Sequence, residues 1–257
     1  MAFWAAFGLL LPQALWVRRT TPRFQGAAGD PCGLAVYDAL DESKPPLQLL
    51  GLGDSIIAGV GASHHTEALV AQAALGLSGA LNRPVAWQVH GKIGADARRI
   101  AHEARKIDWP SGVDVVVIST GVNDLLGLST IAQWQDKIVQ LIKTVRSYAP
   151  DAWLVFCGLP PMQVFPRLPR PLKFVLGYRA HHLDEILGWV AGSFDRVRWV
   201  PIQSPIESAA DLSGELPNQP PLTPEMFAGD GFHPGPLGYQ ALGQGLAKAV
   251  AAAIKSA

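Results

Sequence analysis

The chain has 257 residues, which is long enough to bury the core of one large α/β domain. Hydrophobic residues make up 49 % of it and charged residues 16 %, so the composition excludes a largely disordered protein. Lys plus Arg equals Asp plus Glu at 21 each, and this zero net charge argues against a nucleic-acid partner. The two cysteines, Cys32 and Cys157, are too few for a disulfide framework or a cysteine-rich metal site.

The first distinctive segment is an almost wholly apolar run over residues 3–17, followed by Arg18 and Arg19. It is shorter than the roughly 20 residues that span a bilayer, and no positive charge precedes it as in a secretory signal. A helix docked on the protein or lying in a membrane interface, an uncleaved anchor and a cleaved signal all stay open. If the segment inserts into a membrane, the arginines after it favour keeping the downstream domain on the cytoplasmic side. We therefore expect a cytoplasmic or membrane-associated protein rather than a secreted one, with peripheral membrane contact through residues 3–17.

The next segment, residues 18–45, is rich in glycine and proline, which is typical of a linker. The sequence thus predicts an N-terminal segment and linker over 1–45 and one main domain over 46–257. Apolar and β-branched runs predict five strands, at 47–52, 84–90, 113–119, 152–157 and 197–202. Alanine-rich or amphipathic stretches predict four helices, at 66–81, 95–106, 131–148 and 238–254. Strands that alternate with helices indicate a parallel sheet covered on both faces.

Two segments of the main domain show no regular pattern, the proline-rich stretch 160–171 and the Pro-, Ser- and Gly-rich stretch 203–228. Residues 160–171 and the following 172–177 mix apolar side chains with Arg and Lys. Two interpretations stay open for them. One is an apolar wall or lid over a binding pocket, in contact with lipid, and the other is a surface loop and helix packed on the core.

Groups that can carry chemistry follow the predicted strands. In an open parallel sheet, ligands bind beyond the carboxyl ends of the strands, so the loops after four strands and the loop before the last helix should meet. These loops contain Gly53-Asp54-Ser55, Gly91-Lys92-Ile93-Gly94, Gly121-Val122-Asn123-Asp124, Gly158-Leu159-Pro160-Pro161 and Asp230-Gly231-Phe232-His233-Pro234. The sequence predicts a site where these five loops come together.

The blocks at Ser55, Gly94, Asn123 and Asp230–His233 resemble those of the SGNH (GDSL-type) hydrolase family, in the family's order and over about residues 47–245. The resemblance implies an α/β fold, a three-layer flavodoxin-like sandwich of about five parallel strands with helices on both faces. It also implies a carboxylic ester hydrolase. Ser55, Asp230 and His233 would be the catalytic residues. The oxyanion hole would be formed by the N–H groups of Ser55 and Gly94 and the side-chain amide of Asn123.

The chemistry explains why these residue types occur together. A serine hydroxyl needs a neighbouring base, and His233 has a carboxylate three residues earlier that can fix its tautomer. The course would be an acyl-enzyme on Ser55 and its hydrolysis by water, with no cofactor and no metal ion. Structural alternatives stay open for each block. Ser55 could cap a helix, and Asn123 and Asp124 could be a helix N-cap or a turn pair. Asp230 and His233 could belong to an ordinary loop, and Gly91 competes with Gly94 for the second block.

Other motifs fail on single positions. Gly51 and Gly53 begin a dinucleotide-binding fingerprint, but Ile56 occupies the third glycine position. Ser55 is not in Gly-x-Ser-x-Gly, because Ile57 replaces the second glycine. We expect a small-molecule ester substrate with a short or medium acyl chain. Lysophospholipids, thioesters and O-acetylated carbohydrates are alternatives within the family, and a catalytically silent membrane-associated module is the alternative from another class.

Overall fold

The computed structural model describes residues 2–37, 44–202 and 222–256, with the side chains of the first range described from residue 10 onward. The strands are β1 Cys32–Ala35, β2 Leu47–Gly53, β3 Val85–Gly91, β4 Val115–Ser119, β5 Trp153–Cys157 and β6 Val197–Val200. The α-helices are α1 Ala2–Thr20, α2 Leu69–Leu81, α3 Ala97–Ala104, α4 Val122–Leu126, α5 Ile131–Tyr148, α6 Leu172–Gly192 and α7 Pro236–Lys255. Each of the five predicted strands is found with its ends within two residues of the predicted ones.

The strands form one sheet in the order β1-β3-β2-β4-β5-β6. Strands β2 to β6 are parallel, and their order is that of flavodoxin-like folds, so the predicted fold class is confirmed. Every residue of β4 and β5 is buried, because helices cover both faces of these apolar strands. One core lies against α3, α5 and α6 and includes Trp134 and Phe156, and the other lies against α2 and α7 and includes Leu69 and Tyr239.

Strand β1 corrects the predicted linker over 18–45. Residues Cys32–Ala35 pair antiparallel with β3 at the edge of the sheet, so the chain before residue 46 contributes a strand to the main domain. The linker prediction is therefore wrong for these residues. Only Ala35 of the four is buried, and an exposed four-residue strand carries no hydrophobic pattern that could predict it.

Helix α6 settles the two interpretations of residues 172–177. They form the first turns of a 21-residue helix that continues to Gly192 and packs Leu176, Leu183 and Leu187 into the core. The packed helix is correct for this part of the segment, and the sequence analysis missed its continuation over 178–192. Exposed apolar side chains such as Trp189 interrupt the amphipathic pattern of α6, which hides its helical period.

Helix α1 docks on the main domain. Val17 is buried in the core, with Leu10 and Ala14 packed beside it. The Gln13 side chain donates to the Arg170 carbonyl and accepts from the Leu172 N–H, both at 3.3 Å. Among the described residues, no helix is long and apolar enough to cross a membrane. The predicted irregular stretch 203–228 lies outside the described residues up to position 221.

Candidate active site

Ser55 lies at the carboxyl end of β2, two residues after the strand ends. The chain leaves the sheet there through the Asp54 N–H, which donates to the Ser119 carbonyl of β4 at 3.2 Å. It then turns tightly, and the Val60 N–H donates to the Ser55 carbonyl at 3.0 Å. The residues directly after Ser55 form turns, and the next α-helix begins only at Leu69, so Ser55 does not cap a helix.

The Asp54 side chain stabilises this turn through two hydrogen bonds. Its Oδ1 accepts hydrogen bonds from the Ile56 N–H and the Ser119 hydroxyl, both at 3.1 Å. The side chain is 1 % exposed, and burial raises the pKa of its carboxyl to about 6, although these hydrogen bonds and the nearby His233 oppose the rise. Asp54 therefore connects the Ser55 turn to the end of β4.

Asp230 and His233 lie together in the loop before α7. Asp230 Oδ1 accepts from the backbone N–H groups of Phe232 and His233, at 2.9 and 3.0 Å. Its Oδ2 lies 2.6 Å from His233 Nδ1. The carboxylate thus binds the backbone and the ring of the same histidine, which fixes the ring's orientation.

The electrostatics of this pair follow from its hydrogen bonds. Burial alone would raise the pKa of Asp230, but the bonds from the His233 ring and from the two N–H groups outweigh burial and hold the pKa below its ordinary value. Asp230 is therefore a carboxylate at neutral pH. A carboxylate only accepts hydrogen bonds, so His233 Nδ1 carries a proton toward it and Nε2 is left as an acceptor in the neutral ring.

The structure brings Ser55 and His233 together across 178 positions of sequence. Ser55 Oγ lies 2.9 Å from His233 Nε2, while Asp230 Oδ2 lies 2.6 Å from the other ring nitrogen, Nδ1. A Ser–His–Asp chain of this geometry can move a proton from the hydroxyl to the imidazole and hold the imidazolium that forms. The three predicted catalytic residues, Ser55, Asp230 and His233, are the three members of this hydrogen-bonded series.

The two remaining predicted site residues, Gly94 and Asn123, are joined through one carbonyl. Asn123 Nδ2 donates to the Ala95 carbonyl at 2.9 Å, so one amide hydrogen holds the Gly94 loop, and the second has no partner among the described residues. Gly94 has a φ of +78°, and a Cβ added to it would meet no atom of the described residues within 4 Å. Gly91 differs, because a Cβ there would lie 2.2 Å from the Ala58 nitrogen. Gly91 is thus packed closely against the Ala58 backbone, whereas the space beside the Gly94 Cα is open among the described residues.

A network of ion pairs around the buried Asp124 supports this loop, and the sequence analysis missed most of it. Lys137 Nζ lies 2.6 Å from Asp124 Oδ1 and 2.7 Å from Asp96 Oδ2. Asp124 Oδ2 also accepts from the Ala97 N–H at 3.0 Å. These contacts bind the residues after Gly94 to helices α4 and α5. Lys137 follows the buried Trp134 by three positions, and a lysine on the apolar face of a helix was the signal that could have found it.

The pKa values in the network show how its charges balance. Burial keeps the pKa of Asp124 above its ordinary value despite the contact with Lys137. The pKa of the less buried Asp96 lies below its ordinary value. Burial acts to raise this pKa, but the hydrogen bond from Lys137 and the other favourable interactions of the carboxylate outweigh burial. For Lys137, burial lowers the pKa, and the two carboxylates reverse this and raise it. The ammonium group is therefore held in its charged form.

An apolar pocket adjoins these residues. Ile56, Val122, Phe232 and Pro234 line it, and each is the sequence neighbour of a predicted site residue. Phe165 of the proline-rich segment closes one side, with its ring packed edge-on against Phe227 and Phe232 at centroid distances of 5.1 and 5.9 Å. Residues of the 160–171 segment thus form part of the pocket wall.

A serine, a histidine and a buried carboxylate in hydrogen-bonded order at the carboxyl edge of a parallel sheet define a serine hydrolase class of site. The chain belongs to the GDSL-like lipase/acylhydrolase family, whose sequence profile matches residues 52–241. This confirms the predicted SGNH (GDSL-type) family. The protein is an ester-hydrolysing enzyme of that family.

Solved structures show the same fold. The lipase/acylhydrolase from Enterococcus faecalis superimposes with a TM-score of 0.58 at 19 % identity, over 80 % of this chain and 96 % of that one. A lipase from a goat rumen metagenome gives 0.57 at 19 % identity, over 79 % and 97 %. A family 3 carbohydrate esterase from Clostridium thermocellum gives 0.59 at 14 % identity, over 82 % and 99 %. None of the curated proteins matches this chain in sequence.

Proposed function

We propose that the enzyme hydrolyses carboxylic esters of short to medium acyl chains through an acyl-enzyme on Ser55. One observation carries the proposal: Ser55 Oγ lies 2.9 Å from His233 Nε2, beside an apolar pocket. The first feature supports nucleophilic catalysis, and the second supports an apolar acyl group.

In the proposed mechanism, His233 Nε2 accepts the Ser55 proton as Oγ attacks the ester carbonyl carbon. The carbonyl oxygen becomes an oxyanion, which the N–H groups of Ser55 and Gly94 and the free amide hydrogen of Asn123 stabilise. The tetrahedral intermediate collapses, the C–O bond to the alcohol breaks, and the alcohol leaves with the proton from His233. Water then attacks the acyl-enzyme with His233 as base, which releases the acid and restores Ser55. Asp230 holds the ring and its positive charge throughout.

The pocket lining supports the choice of substrate class. Its side chains are largely aliphatic or aromatic, and Ile56 and Phe232 stand directly beside Ser55 and His233. Burying acyl CH₂ groups there contributes about 0.8 kcal/mol each, whereas a sugar ring would leave hydroxyl groups without partners against such a wall. An acyl chain therefore fits better than a carbohydrate. Lysophospholipids and thioesters carry similar acyl groups and are included in the test.

The test compares wild type with Ser55→Ala on p-nitrophenyl esters of graded acyl length. Ser63→Ala is the matched control, because Ser63 is an exposed serine close in sequence to the same turn. We expect activity in wild type and Ser63→Ala and none in Ser55→Ala, with an optimum between short and medium chains. A fluorophosphonate probe should label the first two proteins only.

Other outcomes would redirect or reject the proposal. Substantial activity in Ser55→Ala would reject Ser55 as the nucleophile. Labelling with turnover only of sugar acetates, thioesters or lysophospholipids would identify another substrate of the same chemistry. Neither labelling nor turnover in wild type would indicate a catalytically silent module.

A further inference from the structure

Helix α1 leaves large apolar side chains uncovered. Val17 packs into the core, whereas Leu11, Leu15 and Trp16 on the outer side are 48, 41 and 52 % exposed. Exposed apolar residues scattered singly are ordinary on protein surfaces, but these three lie within two turns of one helix. Their grouping on one helix indicates a surface that binds a partner.

Basic residues border the apolar group. Arg18, Arg19 and Arg23 line one surface groove together with Leu15. The guanidinium of Arg167 donates to the Thr20 carbonyl at 2.6 Å and lies 5.7 Å from the centre of the Trp16 ring. No Asp or Glu occurs in the sequence over 2–29 or 160–183, the two segments that meet here. The surface therefore combines exposed aromatic and aliphatic groups with basic side chains, and neither of these two segments contributes an acidic residue to it.

The same surface adjoins the catalytic loop. A Cβ added to Gly231, between Asp230 and His233, would lie 3.0 Å from Arg167 Cβ, so the arginine packs on that loop. Phe165, two residues before Arg167, lines the pocket next to Ser55. One short segment thus contacts the end of α1, the catalytic loop and the pocket.

We propose that the surface formed by Leu11, Leu15, Trp16, Arg18, Arg19 and Arg23, here called the α1 face, binds the surface of an anionic phospholipid membrane. Trp and Leu side chains enter the boundary between headgroups and acyl chains, while the arginines bind the lipid phosphates. This proposal goes beyond the esterase function and does not depend on it.

Charge favours this occupant over a second copy of the chain. A symmetric dimer through the α1 face would bring Arg18, Arg19 and Arg23 of both copies toward each other, because a two-fold contact uses the same patch twice. Like charges in contact are repelled, whereas an anionic membrane neutralises all of them. Bound in this way, the α1 face would hold the Arg167 segment and the adjacent active site near the membrane surface.

The experiment measures co-sedimentation of the full chain with vesicles of phosphatidylcholine alone and with 30 % phosphatidylglycerol. We expect wild type to bind the anionic vesicles, and to bind them less as salt is raised. The triple variant Arg18→Gln, Arg19→Gln, Arg23→Gln should lose on the order of 100-fold in partition coefficient, because each basic residue near the surface contributes about 1 kcal/mol. The variant Leu15→Ser, Trp16→Ser should also bind less.

Trp189→Ser is the matched control. Trp189 is 65 % exposed, but it lies about 25 Å along α6 from Leu172, where that helix meets α1. It should bind like wild type. Circular dichroism checks the fold of every variant, and the binding readout does not depend on catalysis, so a failed esterase assay leaves this test intact.

Three outcomes would overturn the proposal. The first is the absence of binding to anionic vesicles by a folded wild type, and the second is binding that the arginine triple variant leaves unchanged. The third is concentration-dependent self-association, measured by sedimentation velocity, that the variants of the α1 face abolish, since a second copy would then cover the surface.

Discussion

The Nζ atom of Lys137 lies 2.6 Å from Oδ1 of Asp124, in an ion pair whose carboxylate is fully buried. Asp124 follows Asn123, and its other oxygen binds the Ala97 N–H, three residues after Gly94. The pair therefore couples the two loops that carry the proposed oxyanion donors. Lys137 acts through these loops, which makes it a positioning residue.

Removing the lysine should be costly. Lys137→Met leaves Asp124 charged and buried without its main partner, so we expect the free energy of unfolding to fall by about 3–5 kcal/mol in urea denaturation. We also expect kcat to fall with little change in KM, because the oxyanion donors move while the acyl pocket stays. Lys143→Met, at an exposed position of the same helix, is the control and should change stability by less than about 0.5 kcal/mol. Equal effects of the two variants would contradict the positioning role.

Asn123→Ala tests the oxyanion hole directly. We expect kcat to fall by about 10²–10³ on the preferred p-nitrophenyl ester, because one donor to the transition-state oxygen is lost. KM should change little, since the amide binds the transition state more strongly than the ground state. Gln140→Ala removes an exposed amide on α5 and should leave both constants unchanged. An unaltered kcat in Asn123→Ala would assign the amide to structure alone, through its bond to Ala95.

The buried Asp54 predicts a pH dependence of stability. Its pKa is about 6 in the folded protein against 3.8 ordinarily. Between about pH 4 and pH 6 the unfolded chain releases this proton first, so the contribution of Asp54 to stability falls as pH rises through that window. Asp54→Asn keeps an oxygen for the Ile56 and Ser119 donors but cannot ionise.

Comparing this variant with wild type isolates the effect from other titrating groups. From pH 4 to pH 7, the difference in free energy of unfolding should shift in favour of Asp54→Asn by about 2 kcal/mol. This is less than the full pKa difference multiplied by 1.36 kcal/mol, because the unfolded carboxyl is already partly ionised at about pH 4. Urea denaturation at several pH values across this range measures it. A difference that stays constant with pH would mean that Asp54 titrates normally in the fold.

Phe165 forms part of the pocket wall, so its size should limit the length of the acyl chain that the enzyme accepts. Phe165→Ala removes a ring from the pocket wall, so we expect the best p-nitrophenyl ester to become longer by two or more carbons. The variant should also lose about 3–5 kcal/mol of stability, because the ring is buried against Phe227 and Phe232. Phe174→Ala, at an exposed position of α6, should alter neither property. An unchanged chain-length profile in Phe165→Ala would mean that the acyl group lies elsewhere.

The strands and the block residues were predictable because their signals are local. A continuous apolar run such as 113–119 predicts a strand without reference to any other part of the chain, and β4 lies within it. The flavodoxin-like strand order and the family followed from the order of the blocks containing Ser55, Asn123 and His233. The strand β1 was missed because an exposed edge strand needs only the backbone of its neighbour, which leaves no pattern in side chains.

The sequence by itself determined the parallel sheet through local apolar runs, and the order of its short blocks, through their resemblance to SGNH hydrolases, determined the family and the candidate site residues. Only the tertiary structure decided which distant groups meet. The Lys137 network, the Phe165 wall and the packing of Arg167 between α1 and the catalytic loop each join segments far apart in the chain. Such contacts depend on how helices and loops pack, because a side chain's partners are set by the three-dimensional arrangement around it rather than by its neighbours in sequence.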